Sequence, residues 1–293
     1  MRNKIKYQGG ITKLLCQKQA ERSKKKFRQL VVSGAGPFQF NQSTGIDFDV
    51  ISFSGATAFE DQLLSIYSFV LYAGIPRNWI IYSDKSYTEE QKELFKKKFP
   101  FISVTDWDVY DHVSSNKHLS EYLQVCHLAK KVNIIVGHPY TRQTIYLDSD
   151  IVFYKNISGY LSSSLLSGGF WFAPDSMWGD LNGYFNIKRE SIYPLNSGML
   201  ILNNDFDAAD VFQYFEDIKG KYEYFSEQSS FEYAFRKQGA NMLDPRQFII
   251  DSSDQFDFAM KYYPDEIAMR HYTSPVRHKM WQKGWNWHFP AGK

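Results

Sequence analysis

The stretch Thr144-Ile-Tyr-Leu-Asp-Ser-Asp-Ile-Val-Phe153 places two aspartates between two apolar runs. The run before them has the length and character of a buried strand. Burying two carboxylates there costs several kcal/mol unless a cation pairs with them. Because ligands bind at the carboxyl ends of strands in an open α/β sheet, Asp148 and Asp150 are predicted to hold a divalent cation at this edge. The alternative is that they are core acids held in salt bridges.

The sequence contains three further Asp-x-Asp triplets, namely Asp47 with Asp49, Asp106 with Asp108, and Asp205 with Asp207. The first is predicted on the solvent side of a strand, the second in a loop, and the third where a helix begins and an aspartate caps it. None of them lies between two apolar runs. The cation site is therefore predicted at residues 148–150 alone.

Strand and helix patterns alternate from residue 46 onward. Strands are predicted at 46–53, 79–82, 101–104, 144–147, 169–173, 198–203, 246–250 and 267–270, and helices at 60–72, 88–99, 119–131, 207–219 and 227–237. This rhythm favours an α/β fold with a mostly parallel central sheet. We expect one domain over residues 30–293.

The composition is that of a globular protein. Of 293 residues, 43% are hydrophobic and 23% charged, which excludes disorder and coiled coil as the main architecture. Cys16 and Cys126 are too few for a disulfide framework or a zinc finger. Neither a transmembrane run nor a secretory signal is recognised, so a cytoplasmic location is expected.

Positive charge is concentrated at the N-terminus. Residues 1–29 contain ten lysines and arginines against one acid, Glu21. We expect a basic N-terminal extension that contacts an anionic membrane or wraps the acidic remainder of the chain. Few aromatic residues alternate with these cations, so nucleic-acid binding is not expected.

Four motifs resemble those of glycosyltransferase family 8, which includes glycogenin and bacterial lipopolysaccharide galactosyl- and glucosyltransferases. Tyr146–Asp150 resembles the DxD motif of GT-A glycosyltransferases, and Leu195-Asn-Ser-Gly-Met199 resembles the Asn-Ser-Gly at the start of a family strand. Glu227-Gln228 resembles an Asp-Gln pair, and the segment from His271 to Trp281 resembles a late His-x-x-Gly-x-x-Lys-Pro-Trp motif. The motifs follow the family's order and cover residues 46–285, which implies a GT-A fold.

The chain departs from the family pattern in the late motif and in the acidic pair. Ser274 replaces the glycine, Arg277 takes the position of the lysine, and Met280 replaces the proline. Glu227 replaces the aspartate before Gln228. The resemblance is therefore to a divergent member, in which Arg277 or Lys279 contacts the donor diphosphate.

The resemblance implies a retaining transferase that uses a nucleotide-diphosphate sugar, with UDP as the nucleotide, and a carbohydrate or glycoconjugate acceptor. Asp148, Asp150 and His271 would hold Mn²⁺ or Mg²⁺, and the histidine nitrogen favours Mn²⁺. Gln228 would steady the charged sugar, with Glu227 as the nucleophile should a double displacement operate. The donor-binding residues it implies are Ser54, Gly55, Lys131, Asp148, Ser149, Asp150, Asp175, Asn196, Ser197, Arg277 and Lys279.

Near the C-terminus, the aromatic residues Trp281, Trp285, Trp287 and Phe289 predict an exposed cluster. Aromatic faces stack on sugar rings and also anchor proteins at membrane interfaces. The cluster is therefore interpreted either as a wall of the acceptor site or as a membrane anchor.

Two other functions fit parts of the sequence. Asp148-Ser-Asp-Ile-Val152 also matches the nucleophile motif of haloacid-dehalogenase-like phosphatases, which release phosphate from small phosphoesters. A carbohydrate-binding protein without activity, built on a transferase fold, would bind sugar without consuming a nucleotide sugar.

Overall fold

The computed structural model describes residues 10–34, 45–157, 161, 169–176, 193–255, 261–274 and 276–289. The helices are α1 (Gly10–Ser33), α2 (Phe59–Ala73), α3 (Glu89–Lys98), α4 (Asp111–Ser114), α5 (Lys117–Val125), α6 (Ala129–Gly137), α7 (Ala209–Ile218), α8 (Ser226–Lys237), α9 (Arg277–Lys279) and α10 (Trp285–His288). A π-helical turn, Met280–Gly284, joins α9 to α10. The strands are β1 (Asp49–Ser54), β2 (Asn78–Ser83), β3 (Ile102–Asp106), β4 (Thr144–Leu147), β5 (Ile151–Phe153), β6 (Trp171–Pro174), β7 (Leu195–Leu202), β8 (Asn241–Met242), β9 (Phe248–Ile249) and β10 (Met269–His271).

Within these residues, seven strands form a central sheet in the order β3-β2-β1-β4-β7-β6-β8. Strands β3, β2, β1 and β4 are mutually parallel, whereas β7 is antiparallel to both of its neighbours. A smaller sheet contains β5, β10 and β9, with β10 antiparallel to β5. The prediction of an α/β fold with a mostly parallel central sheet is confirmed.

Successive residues of β4 face opposite apolar layers. Ile145 and Leu147 pack in the layer that contains α2 and β5, whereas Tyr146 packs in the layer that contains α6 and α8. The strand is buried on both faces, as expected for a strand in the middle of a covered sheet. Its carboxyl end therefore opens between the two layers, where the aspartates follow.

The helix predicted over residues 119–131 is two helices, α5 and α6. Cys126 has an extended backbone, with φ −134° and ψ 124°, and this ends the helical ladder. Asn116 caps α5 through the amide of Leu119, while Asn133 of α6 bonds to the chain near residue 108. Lys131 consequently lies at the start of a helix and not near the end of one.

Helix α1 was not predicted, and it runs through the expected domain boundary between residues 29 and 30. Its buried residues Cys16, Ala20, Phe27 and Val31 recur at helical spacing. Their pattern is obscured in the sequence by the cations between them. Of the helices that the structure describes, none has the length and apolar content needed to cross a membrane.

The prediction of an exposed C-terminal aromatic cluster was wrong for three of its four members. Trp281, Trp285 and Phe289 are buried, and Trp287 is 44% exposed. The cause is α1, whose Phe27 ring lies 5.2 Å from that of Trp281 and 5.4 Å from that of Phe289. Trp281, Trp285 and Phe289 therefore belong to the hydrophobic core and do not form a sugar-binding wall.

Candidate active site

Backbone pairing brings three of the four sequence motifs together. The turn of residues 148–150 joins β4 to β5, and the Asp148 amide donates to the carbonyl of Gly198, 2.8 Å away, on β7. His271 of β10 pairs with Ile151 of β5, and the Tyr272 amide donates to the Asp150 carbonyl at 2.8 Å. Residues about 50 and 120 positions after the acidic pair thus lie beside it.

Asp148, Asp150 and His271 each direct one potential ligand atom into a space in which these atoms lie within 4.8 Å of one another. The Nε2 atom of His271 is 3.0 Å from Asp150 Oδ1 and 3.7 Å from Asp148 Oδ2. Two carboxylates and an imidazole suit a divalent cation such as Mn²⁺. The structure therefore assembles the three predicted ligands into a candidate metal site.

Asn196 orients the imidazole of His271. Its Oδ1 accepts the Gly198 amide at 2.8 Å and lies 2.9 Å from His271 Nδ1. Because this oxygen only accepts, Nδ1 carries a proton and Nε2 faces the carboxylates. Burial alone would lower the pKa of His271, but Asp150 and Asp148 outweigh it, so the pKa is raised.

Residue 198 must be a glycine because a larger side chain would collide with His271 and Asn196. A Cβ atom there would lie 2.3 Å from His271 Cε1 and 2.7 Å from Asn196 Oδ1. These distances are too short for any side chain at residue 198 unless the imidazole moves. The glycine of the Asn-Ser-Gly motif therefore makes room for the candidate metal ligand His271, which lies on β10 of the smaller sheet.

Lys131 is the buried cation on the Asp148 side. Its ammonium donates to Asp148 Oδ2 and to Ser197 Oγ, both at 3.0 Å, and lies 3.4 Å from Glu227 Oε1. Burial opposes its charge, but Asp148 and Glu227 outweigh burial and raise the pKa of Lys131. The neighbouring Lys130 instead lies over the Trp107 ring, so of the two lysines it is Lys131 that contacts the acidic pair.

The sequence analysis gave no role to Tyr146. Its hydroxyl donates to Asp148 Oδ1 at 2.7 Å. Both carboxylate oxygens of Asp148 are therefore held, one by Tyr146 and one by Lys131. The signal was present in the sequence, because residues two apart in a strand lie on the same side of it.

Arg277 is the cation on the Asp150 side. Its Nε donates to Asp150 Oδ2 at 3.1 Å, and its Nη2 bonds to the same oxygen. Burial would raise the pKa of Asp150, but Arg277 and His271 together lower it. Lys279 is directed elsewhere: its ammonium is buried 3.6 Å from Asp254, beside Arg270.

A third polar cluster lies on the other side of His271. Asp175 Oδ2 accepts from Asn196 Nδ2 at 2.7 Å and from Gln228 Nε2 at 3.2 Å. A cavity of about 320 Å³ opens beside Asp175 and is also lined by Tyr193, Phe248 and Tyr262. Asp175 and Asn196, predicted to bind the donor, and Gln228, predicted to be catalytic, are thus joined to the candidate metal ligand His271 through Asn196.

Ser54 and Gly55 lie at the carboxyl end of β1, the strand next to β4. The Ser54 hydroxyl donates to Gln62 at 2.9 Å and contacts the Tyr87 hydroxyl at 2.7 Å. A Cβ atom at Gly55 would lie 2.1 Å from the Asp84 carboxylate, which the sequence analysis did not single out. The described contacts do not join this pair to the acidic cluster.

Ser149 is buried between the two aspartates.

Comparison with known proteins gives no match to a family model and none to a curated protein sequence. The fold, in contrast, matches solved glycosyltransferases. The galactosyltransferase LgtC, in complex with donor and acceptor sugar analogs, aligns with a TM-score of 0.56 at 10% identity, over 81% of this chain and 96% of that one.

Two further structures agree. The glycosyltransferase GlyE of Streptococcus pneumoniae TIGR4 has a TM-score of 0.53 and 14% identity over 83% of this chain and 61% of that one. Mouse xyloside xylosyltransferase 1 has a TM-score of 0.53 and 14% identity over 79% and 99%. At these identities the comparisons concern the fold. This chain has the GT-A fold of family 8-type glycosyltransferases and is a divergent example of it.

Proposed function

We propose that this protein is a metal-dependent, retaining glycosyltransferase that moves a sugar from a UDP-sugar to a carbohydrate or glycoconjugate acceptor. The observation that carries the proposal is the convergence of Asp148, Asp150 and His271 at the carboxyl end of β4. The GT-A fold supports it, since the solved structures that share the fold are glycosyltransferases.

Asp148, Asp150 and His271 would hold Mn²⁺ or Mg²⁺ on the donor diphosphate. Such an ion, when bound, neutralises the phosphates and acts as a Lewis acid on the leaving group. Hydrogen bonds hold two of the three ligands in place. Tyr146 and Lys131 fix Asp148, and Asn196 orients His271 so that Nε2 faces the site. Ligands held in this way lose little freedom when the ion binds.

Arg277 would supply the positive charge on the outer side of the diphosphate. Its guanidinium already lies on Asp150, at the edge of the space between the ligands. Arginine pairs with phosphate oxygens in two parallel hydrogen bonds, so it suits this role better than a single ammonium does. Because Lys279 is buried against Asp254, Arg277 is the residue assigned to the diphosphate.

Gln228 would face the sugar. Asp175 is an acceptor, so the Gln228 nitrogen points to it, and the carbonyl oxygen Oε1 is the atom for the developing positive charge. The acceptor oxygen bonds to the anomeric carbon as the bond to the diphosphate oxygen breaks. The acceptor's proton passes to the departing phosphate, so the chain need not supply a base.

Glu227 is assigned a structural role in this route. Its carboxylate is buried against Lys131, the same ammonium that holds Asp148. Burial raises the pKa of Glu227, and Lys131 opposes this. Glu227 thus orients Lys131 and is not needed as a nucleophile.

The acceptor would enter through the cavity beside Asp175. Tyr193 and Tyr262 line it, and aromatic faces pack against sugar rings. Asp175 bonds to Gln228 and also lines the cavity, so an acceptor hydroxyl there would be close to the residue assigned to the sugar. A carbohydrate is the ligand class that this lining fits.

The outward face of α1 would contact an anionic membrane. It exposes the apolar Ile11, Leu14 and Leu15 and, further along, the cations Lys18, Arg22, Lys25 and Lys26. An apolar patch beside basic residues is the pattern of helices that lie on anionic bilayers. Equal sedimentation with phosphatidylserine and phosphatidylcholine vesicles would remove this part of the proposal.

The function is tested with a panel of nucleotide sugars in the presence of Mn²⁺, scored by release of the nucleoside diphosphate. Slow hydrolysis of one UDP-sugar is expected without an acceptor, and an α-linked product with one, as seen by proton NMR. Gln228→Ala should lower kcat roughly 10–1,000-fold with little change in donor KM. A β-linked product from an α-linked donor would contradict retention. Phosphate release from small phosphoesters without donor turnover would indicate the phosphatase instead.

A further inference from the structure

Helix α1 packs on the segment that carries Arg277. We call residues 276–289 the C-terminal segment. Phe27 of α1 lies between the rings of Trp281 and Phe289, and Gln19 accepts a hydrogen bond from Gln282 at 3.1 Å. One face of α1 thus covers the helical turns that follow Arg277.

A buried carboxylate lies at the centre of this contact. Asp61, in the first turn of α2, is 1% exposed, and its Oδ1 accepts from Lys24 Nζ at 2.8 Å and from Trp281 Nε1 at 2.6 Å. The next acid, Glu60, pairs with Arg28 of α1. A buried carboxylate is costly without its cation, so the position of Trp281 depends on Lys24.

Trp281 follows Arg277 by one helical turn, and Arg277 bonds to the candidate metal ligand Asp150. The pKa of Arg277 is raised mainly by Asp150 and to a smaller extent by Asp61. The contacts therefore form one path: Lys24 to Asp61, Asp61 to Trp281, and Trp281 along the backbone to Arg277.

We propose that Lys24 is a positioning residue, which fixes Trp281 through Asp61 and thereby holds Arg277 over the candidate metal site. On this view α1 packs against the C-terminal segment and keeps it in position over the donor. The geometric part stands on the contacts alone, and the kinetic part rests on the proposed function.

The first arm of the test measures amide hydrogen exchange in residues 276–289. Lys24→Met removes the ammonium and keeps most of the stem, and Lys25→Met is the matched control, because Lys25 is the exposed next residue of α1. Exchange in the segment should rise about tenfold in Lys24→Met, return in Lys24→Arg, and stay unchanged in Lys25→Met. Unchanged exchange in a folded Lys24→Met protein would overturn the proposal.

A second variant keeps the test decisive if Lys24→Met does not fold. Trp281→Phe removes the indole N–H and keeps an aromatic ring in the core. It should raise exchange in the same segment by a similar factor. Wild-type exchange in Trp281→Phe would show that the bond to Asp61 does not position the segment.

The kinetic arm separates positioning from general destabilisation. Lys24→Met should raise the donor KM about 5–20-fold with a smaller change in kcat, and it should add nothing further in an Arg277→Met background, because Lys24 acts through Arg277. Additive effects would contradict this route. Should the protein turn over no nucleotide sugar at all, the proposed function fails, while the exchange arm still decides the role of Lys24.

Discussion

At the scale of single residues, Asp150 is bound through both of its carboxylate oxygens and through its backbone carbonyl. It contacts His271 through one oxygen and Arg277 through the other, while its backbone carbonyl accepts the Tyr272 amide. In the absence of a cation, the positive charge of Arg277 balances the buried carboxylate. Under the proposed function, Arg277 would pair with phosphate and leave this carboxylate to the cation.

We predict that Asp150→Asn abolishes metal-dependent activity. Removing one charged ligand should lower kcat/KM by about a hundredfold or more, since several kcal/mol of transition-state stabilisation are lost. Mn²⁺ binding, followed by calorimetry, should weaken in parallel. Asp106→Asn is the control, because this aspartate of another Asp-x-Asp triplet lies at the end of β3 beside Lys92. Full activity of the wild-type protein in excess chelator would contradict the metal assignment.

A second buried ion pair, Arg270 with Asp254, controls stability and its pH dependence. Arg270 donates to both carboxylate oxygens, at 2.6 and 3.1 Å, and both side chains are buried. Asp254→Asn should cost about 3–5 kcal/mol of unfolding free energy, because it leaves Arg270 buried without its anion. Asp244→Asn, at an exposed pair with Arg246, should cost less than about 1 kcal/mol.

The sign of the pH dependence follows from the direction of the pKa shift. Burial would raise the pKa of Asp254, but Arg270 outweighs it, and the pKa is lowered. The pair therefore stabilises the fold fully above the unfolded pKa of about 3.9 and loses this contribution as the pH falls through the folded value. Urea unfolding at pH 7 and pH 3 should show a smaller difference between wild type and Asp254→Asn at pH 3.

At the scale of elements, the sequence was most informative where a local pattern is compatible with only one secondary structure. The apolar run before Asp148 predicted β4, and the helix predicted over residues 88–99 begins at a capping box that Thr88 forms with Gln91. The division of residues 117–137 into α5 and α6 was not readable, because Cys126 is a residue that helices tolerate. Its extended backbone joins two helices that both pack on α4.

The candidate site was predictable in part for the same reason. Asp148 and Asp150 could be chosen from their flanking runs, whereas His271 came from the family resemblance and is placed by the pairing of β10 with β5. Arg277 and Lys279 could not be separated by spacing. The helical turn that begins at residue 277 directs one to Asp150 and the other to Asp254, and this turn packs against α1.

At the scale of the whole molecule, α1 joins the two ends of the described chain. It packs on α2 through Lys24 and Arg28 and on the C-terminal segment through Phe27. Two cations of α1 thus pair with acids of the same chain, whereas among the described residues no ion pair joins the cations of its outward face to an acid. Residues 10–29 of the expected extension therefore combine a packed face and an exposed one.

This arrangement predicts different outcomes for two truncations. A chain beginning at residue 10 keeps α1 and should unfold at the same urea concentration as the full chain. A chain beginning at residue 30 loses Phe27 from the core and leaves Asp61 without Lys24, so it should lose more than about 3 kcal/mol, as large-to-small changes in a core do. If the shorter chain unfolds at the wild-type midpoint and turns over donor normally, α1 is an appendage, and the C-terminal segment holds Arg277 in place by itself.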